Sequence, residues 1–184
     1  MIILAQADIR KLRGPSAGED APDSPLVRPS FPIPRLVLDT NVVLDWLHFG
    51  DPSCRALGGA VESGRVHWIA TAAMRQELES VLSRGIPGRW PIDLPGVLRT
   101  WDRWVIDAQR LDASTGPGKL GSRSAPFLRC QDVDDQKFID LALAVGASVL
   151  LSRDRAVLRV TRRAAAHGLR ILTAADWQPD LPPA

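Results

Sequence analysis

Four acidic residues lie beside segments that the sequence predicts to be strands or helices. Asp39 ends the apolar run RLVL, Asp154 comes just after the run SVLL, Glu77 lies within a helical segment, and Asp135 falls at the start of another. Carboxylate oxygens are the ligands that hard divalent cations such as Mg²⁺ and Mn²⁺ prefer, and one carboxylate binds them too weakly, so several must converge. The four acids therefore predict one metal site, with each of them as a ligand.

The chemistry that a cation held by such acids supports is attack by an activated water molecule. A divalent cation lowers the pKa of water and neutralises charge on phosphate oxygens, so a nucleophilic serine or cysteine is not needed. The three histidines, His48, His67 and His167, share no metal-ligand spacing and are predicted to be structural or exposed.

Each acid also has a purely structural explanation, which the residues alone leave open. Asp39 and Asp154 could cap the helices that follow them. Glu77 could pair with a basic neighbour such as Arg75 on a solvated helix surface. The metal hypothesis depends on the four positions taken together.

The acidic run QDVDDQ contains rivals for one of these positions. Asp134 is the main alternative to Asp135, and either Asp132 or Asp134 could cap the helix that follows. We expect Asp135 in the first turn of that helix, where the positive end of the helix dipole favours an ionised carboxylate. Asp132, Asp140 and Asp45 are predicted to be solvated or capping residues.

The composition predicts one globular domain. The chain has 184 residues, of which 45% are hydrophobic, and this is sufficient for one packed core. Its 23 basic and 21 acidic residues give a net charge of +2, so any nucleic-acid site must be local.

Cys54 and Cys130 form no zinc-binding spacing and are expected to be free thiols. No stretch approaches the roughly 20 apolar residues that span a bilayer, and we expect a cytoplasmic protein without membrane contacts.

Composition also divides the chain. Residues 1–33 are rich in proline, glycine and serine and are predicted to form a flexible extension, since proline removes backbone donors and resists regular structure. Residues 34–178 are predicted to form the folded domain, and 179–184 a short tail.

Strands and helices alternate through the predicted domain, which favours a parallel sheet covered by helices. Ligands of such sheets bind beyond the carboxyl ends of the strands, where Asp39 and Asp154 are predicted to lie. The main predicted elements are strands at 35–38, 66–69, 148–151 and 169–172, helices at 52–63 and 155–166, a helical stripe from Val97 to Val105, and a mobile loop from 112 to 126.

Two segments carry a resemblance to a known family. RLVLDTNVVLDWL looks like the opening strand and Asp-Thr-Asn signature of the PIN domain, and DDQKFIDLALAVGASVLLSRD is similar to its acidic helix, Gly-Ala turn, strand and final aspartate. The second segment most resembles members described as toxin components of toxin–antitoxin systems. The resemblance covers about residues 35–173. It implies an α/β fold, a three-layer α/β/α sandwich with a central parallel sheet of four or five strands.

The resemblance also implies an activity and partners. The expected protein is a Mg²⁺- or Mn²⁺-dependent endoribonuclease, with RNA as substrate, a cognate antitoxin as a partner and a homodimer as its assembly. The family's acidic tetrad, which holds the metal and carries catalysis, matches Asp39, Glu77, Asp135 and Asp154.

Four further residues are expected to assist the tetrad. By its match to the signature, Asn41 would orient Asp39 or a water molecule, and Ser152 would hydrogen-bond a ligand carboxylate. Ser152 also has a structural explanation as a turn residue. Arg153 and Lys137 lie close enough in sequence to the acids to contact substrate phosphates.

Two other functions are kept as alternatives. A non-catalytic PIN-like module would bind RNA or a protein through the same groove, although the presence of all four acids argues against it. A phosphatase with Asp39 as an aspartyl nucleophile is the other alternative. Such enzymes usually have an Asp-x-Asp-x-Thr arrangement, whereas here Asp39 is followed by Thr-Asn-Val-Val.

Overall fold

The protein is described by a computed structural model over residues 33–85, 93–115 and 128–180. Strands and helices alternate through these residues. The strands are β1 Arg35–Leu38, β2 His67–Ala70, β3 Val105–Asp107, β4 Val149–Leu151 and β5 Arg170–Leu172. The helices of the same residues are α1 Thr40–Leu47, α2 Arg55–Glu62, α3 Ala72–Arg84, α4 Leu94–Trp104, α5 Ala108–Thr115, α6 Gln136–Ala144, α7 Arg155–Leu158 and α8 Thr161–Ala165, with a 3-10 turn at Pro52–Cys54 before α2.

All five strands form one parallel sheet in the order β3-β2-β1-β4-β5. β1 therefore lies in the middle, between β2 and β4, and its carboxyl end is the centre of one edge of the sheet. β1 and β4 are in register from Leu36 opposite Val149 to Leu38 opposite Leu151. The predicted α/β/α architecture with a central parallel sheet is confirmed, at the upper of the two strand numbers expected.

The buried strands explain why the sheet forms here. Leu36, Val37, Leu150 and Ile171 are each at most 1% exposed, as expected for strands covered on both faces. Three tryptophan rings pack beside β2: Trp68 lies 5.5 Å from Trp46 and 4.9 Å from Trp101, measured between ring centroids. Trp101 is part of the hydrophobic core, and Trp46 packs against it.

Local signals set several helix ends. The Thr71 hydroxyl accepts a hydrogen bond from the Met74 N–H at the start of α3, as its sequence predicts. Gly85 ends the same helix with a φ of 81°, a conformation that favours glycine.

The segment after α4 differs from the prediction. Val105 was expected to end a helical stripe, but it begins β3, and a further helix, α5, follows directly. The predicted loop over 112–126 is wrong at its start, since α5 continues to Thr115; residues 116–126 lie outside the described part. No glycine or proline separates α4 from β3, so the sequence lacks the usual signal for a change of element. The helix predicted over 155–166 is also two short helices, α7 and α8.

The predicted division of the chain stays a prediction. Apart from Ile33 and residues 179–180, the expected extension over 1–33 and tail over 179–184 lie outside the described residues. Among the described residues, no helix is both long enough and apolar enough to span a membrane.

Candidate active site

Asp39 lies at the central point of the sheet edge, immediately after β1. Its side chain is buried, and its residue is only 3% exposed. The carboxylate accepts hydrogen bonds from the Asn41 backbone at 3.3 Å, the Asn41 amide at 2.9 Å and the Ser152 hydroxyl at 2.5 Å. Burial raises the pKa of Asp39, while the hydrogen bonds from Ser152 and Asn41 oppose that rise. Asp39 thus both caps α1 and presents a fixed carboxylate at the expected position.

Ser152 joins two of the predicted acids. It is fully buried after β4, and its hydroxyl donates to Asp39 while accepting the Asp154 N–H at 3.0 Å. The Asp154 carboxylate caps α7 by accepting the Ala156 N–H at 2.6 Å. The hydrogen bonds expected of Asn41 and Ser152 are therefore present. Asp39 and Asp154 also both cap helices, as the structural alternative predicts.

Asp135 lies at the N-cap of α6, where its side chain makes no capping hydrogen bond. Burial raises its pKa to about 6, and the negative charges of Asp39, Asp154 and Asp132 add to the rise. Burial and the neighbouring negative charges thus oppose the expected effect of the helix dipole, and a pKa of about 6 leaves the carboxylate mostly ionised at neutral pH. The same repulsion shows that Asp39, Asp135 and Asp154 lie close enough to interact.

The neighbouring acids in that run have different environments. Asp134, the rival of Asp135, is exposed, and its N–H donates to the Asp132 carboxylate at 2.9 Å. Neither Asp132 nor Asp134 is the N-cap of α6, contrary to the prediction. Asp140 is exposed and accepts a hydrogen bond from Gln136, in agreement with a solvated position.

Glu77 faces the site from α3 and already has two partners. Its carboxylate accepts the Thr40 hydroxyl at 3.2 Å and forms an ion pair with Lys137. The predicted partner Arg75 instead pairs with Glu79 and Asp102. Thr40 was not among the predicted site residues, although its position directly after Asp39 in the Asp-Thr-Asn motif is a signal that could have identified it.

Arg153 and Asp45 form a pair that the sequence does not reveal. Asp45 is 8% exposed, so the prediction that it is solvated is wrong. Its Oδ1 lies 3.1 Å from the Arg153 Nη1, and the Arg153 N–H donates to the Asn41 Oδ1 at 3.4 Å. Burial raises the pKa of Asp45, and the charge of Arg153 opposes the rise. The spacing of Asp45 along α1 does not predict this ion pair, because its partner Arg153 lies far away in the sequence.

The chemistry of the donors fits a hard divalent cation, but their arrangement is not that of a formed metal site. Among the described residues, no group of three or more His, Cys, Asp or Glu side chains is placed to hold a metal ion. The Asp39 oxygens accept three hydrogen bonds, and Lys137 pairs with Glu77. Burial is the main cause of the raised pKa of Asp135, and the charges of Asp39, Asp154 and Asp132 add to the rise; a cation among these acids would relieve that repulsion.

An open groove of about 810 Å³ lies on a different part of the molecule, beside α1, α2 and α4. Arg99 and Arg103 line it together with Trp104, so these arginines do not face the acids. The groove shares none of the predicted site residues within the described ranges.

A profile of the PIN domain family matches residues 35–156, which is more than half of the chain. The matched range begins with β1 and ends just after Asp154, so it contains all four predicted acids. No curated protein matches the chain. The matched profile and the parallel five-stranded sheet agree with the resemblance seen in the two sequence segments. The chain therefore belongs to the PIN domain family, whose fold is of the nuclease type.

Proposed function

We propose that this protein is a Mg²⁺- or Mn²⁺-dependent endoribonuclease. The observation that carries the proposal is the placement of three acids around Ser152: its hydroxyl bonds the Asp39 carboxylate and the Asp154 N–H, and the charges of Asp39 and Asp154 reach Asp135. Acids do not gain stability from such proximity, and a functional site is the usual place where it is retained. Membership of a family with a nuclease-type fold and generally metal-binding members supports the same conclusion.

In this proposal the metal ligands and catalytic carboxylates are Asp39, Glu77, Asp135 and Asp154. A bound divalent cation supplies an activated water and neutralises charge on the phosphate oxygens. The chain contributes orientation: Ser152 and Asn41 hold Asp39, and the Ser152 hydroxyl also holds the Asp154 backbone. Asp135 must lose its proton for the site to assemble, and with a pKa of about 6 it does so near neutral pH.

The basic residues at the site already have acidic partners. Lys137 pairs with Glu77, and Arg153 pairs with Asp45. A contact between Lys137 and a substrate phosphate therefore requires its release from Glu77, which a cation among the carboxylates favours by competing for the same oxygens.

The test is cleavage of single-stranded RNA and single-stranded DNA of the same sequence by the purified full chain with Mn²⁺ and with EDTA. We expect Mn²⁺-dependent cleavage of RNA that falls by more than about 100-fold in Asp39→Asn and Asp135→Asn, a larger loss than supporting residues usually give. Asp102→Asn is the matched control, because that exposed carboxylate pairs with Arg75 instead of the acids. RNA that stays intact under all conditions, or cleavage that survives Asp39→Asn, overturns the proposal.

One observation favours a second candidate, a non-catalytic module that binds RNA or a protein. The ion pair between Lys137 and Glu77 neutralises one of the four acids without any metal. A module of this kind would show no carboxylate-dependent Mn²⁺ binding. Titration with Mn²⁺ alone, on the wild type and Asp39→Asn, separates the two functions.

A toxin role within a toxin–antitoxin pair is the narrower part of the proposal. It is supported by the likeness of the DDQKF segment and the Gly146-Ala147 turn to toxin members of the family. We expect expression of the chain to stop growth, and co-expression of a short neighbouring reading frame to restore it. Assembly as a homodimer belongs to the same proposal, and sedimentation measures it. Unimpaired growth on expression of active nuclease would favour RNA processing instead.

A further inference from the structure

We infer that Asp45 and Arg153 are a pair of positioning residues, which fix Asp154 relative to Asp39. The inference rests on the proposed metal site for its functional consequence. It also changes the expected role of Arg153, from a substrate contact to a residue that acts through the carboxylate of Asp154.

The segment 152–154 is attached along α1 at three successive points. The Ser152 hydroxyl bonds the Asp39 carboxylate at the N-cap, and the Arg153 N–H bonds the Asn41 side chain one residue into the helix. The Arg153 guanidinium then reaches Asp45, which lies more than one turn further along. The three contacts join the segment that carries Asp154 to α1 and its N-cap residue.

Of the three contacts, the ion pair is the one between two charged side chains. The Asn41 bond to Arg153 is long, at 3.4 Å, whereas the Arg153 Nη1 lies 3.1 Å from the Asp45 Oδ1 in an ion pair. The Asp45 side chain is 12% exposed, so it loses water and depends on its partner. The backbone of Asp45 is also held in place, because its carbonyl accepts a hydrogen bond from the Asp51 N–H at 2.8 Å.

Geometry also argues against Arg153 as a free phosphate ligand. Its guanidinium points back to α1, and the side chain is 60% exposed while remaining paired. Releasing it toward a substrate would leave Asp45 as a buried carboxylate without its cationic partner, which is costly. A loose pair on the surface would lack this dependence, since exposed ion pairs contribute little.

The test is a double-mutant cycle on Asp45→Asn and Arg153→Gln in the full chain, with Mn²⁺ affinity as the first readout. We expect each single variant to weaken Mn²⁺ binding by about tenfold, as supporting residues typically do, and the double variant to lose no more than either single one. Arg153→Lys should retain part of the affinity, because it keeps the charge. Asp102→Asn and Arg155→Gln are matched controls that remove an exposed Asp and a neighbouring exposed Arg.

A second readout does not depend on metal or activity. In the metal-free protein, we expect amide hydrogen exchange at Asp154 to quicken by about tenfold in both variants, with exchange in β4 and β5 unchanged. If Arg153→Gln raises only the KM for RNA while Asp45→Asn changes neither Mn²⁺ affinity nor exchange, Arg153 is a phosphate contact and the inference is wrong. If the wild type binds no Mn²⁺, the proposed function is wrong. The positioning role of the pair is tested independently of metal: unchanged hydrogen exchange at Asp154 in both variants would contradict it. Arg153→Gln changes an exposed side chain and should fold. The test therefore stays valid even if the protein does not fold with Asp45→Asn at its buried position.

Discussion

Lys137 pairs with Glu77 across the site, joining the first turn of α6 to the middle of α3. Both side chains are about one third exposed, at 37% and 33%. The ammonium group therefore supplies positive charge at the edge of a cluster of acids, and it also lowers the pKa of Asp135 against the larger effects of burial and neighbouring acids. In the proposed metal site, Lys137 and a divalent cation compete for the same carboxylate.

Replacing Lys137 with Met should therefore strengthen metal binding. At pH 8, where Asp135 is ionised, we expect the Mn²⁺ affinity to rise by about two- to fivefold, which corresponds to about 0.4–1 kcal/mol and is typical of a partly exposed charge pair. Calorimetric titration with Mn²⁺ measures it. Lys137→Arg keeps the charge and is the control. Weaker Mn²⁺ binding by Lys137→Met would show that the lysine supports the site instead of competing with the metal.

Asp135→Asn should stabilise the metal-free protein. The raised pKa of Asp135 means that its charge is unfavourable in the folded state at neutral pH. Removing that charge should increase the free energy of unfolding by about 1 kcal/mol, since solvent screens part of the repulsion. Urea denaturation in EDTA measures the difference at pH 7. Asp134→Asn, on the exposed neighbour, should change stability little. A destabilised Asp135→Asn would mean that the carboxylate makes a favourable contact in the folded state.

The same residue gives a defined dependence on pH. The folded-state pKa of Asp135 is about 6, against an ordinary value of 3.8 for an aspartate. Between these values the folded state holds a proton that the unfolded state has lost, so stability falls as pH rises through this window. The gain in the free energy of unfolding from Asp135→Asn should therefore be small below pH 3.8, the pKa of the unfolded state, and reach its full size above pH 6. Mn²⁺ affinity should move the opposite way and increase as pH rises through 6, because the metal binds the ionised carboxylate.

Thermal unfolding in EDTA at several pH values measures the first trend, and Mn²⁺ titration over the same range measures the second. If the difference in stability between wild type and Asp135→Asn does not change between pH 4 and pH 7, the carboxyl is not the titrating group.

The segment around β1 and the segment around α6 and β4 were predictable because each combines a strongly apolar run with a specific motif. Leu36, Val37 and Leu150 are buried on both sides, so a short run sufficed to identify strands. The strand β3 was missed since it has three residues, all of intermediate exposure, and directly continues a helix. Neither length nor composition distinguishes such a strand from the last turn of α4.

The sequence predicted the hydrogen bonds that Asn41 and Ser152 make around Asp39, but not the charge balance of the acids, and their role as a metal site stays a prediction. Asp39 with Asn41 and Ser152 follows from a local motif and a strand end. The burial of Asp45 does not, because an aspartate at helical spacing is usually solvated and its arginine partner is remote in sequence. The pKa of Asp135 likewise depends on tertiary burial, which sequence position alone cannot provide.

Two adjacent glycines of α2 give a matched test of packing around the tryptophan cluster. A Cβ added to Gly58 would lie 2.7 Å from the Trp46 indole nitrogen, whereas one added to Gly59 meets nothing within 4 Å. Gly59→Ala should stabilise the protein by about 0.5–1 kcal/mol, because alanine loses less backbone entropy in a helix. Gly58→Ala has the same benefit, but it must displace a ring that packs on Trp68, and we expect a net loss of about 1–2 kcal/mol. Urea denaturation followed by tryptophan fluorescence compares the two variants. Equal stabilisation by both would mean that the Trp46 ring moves aside at little cost and does not fix the position of α2.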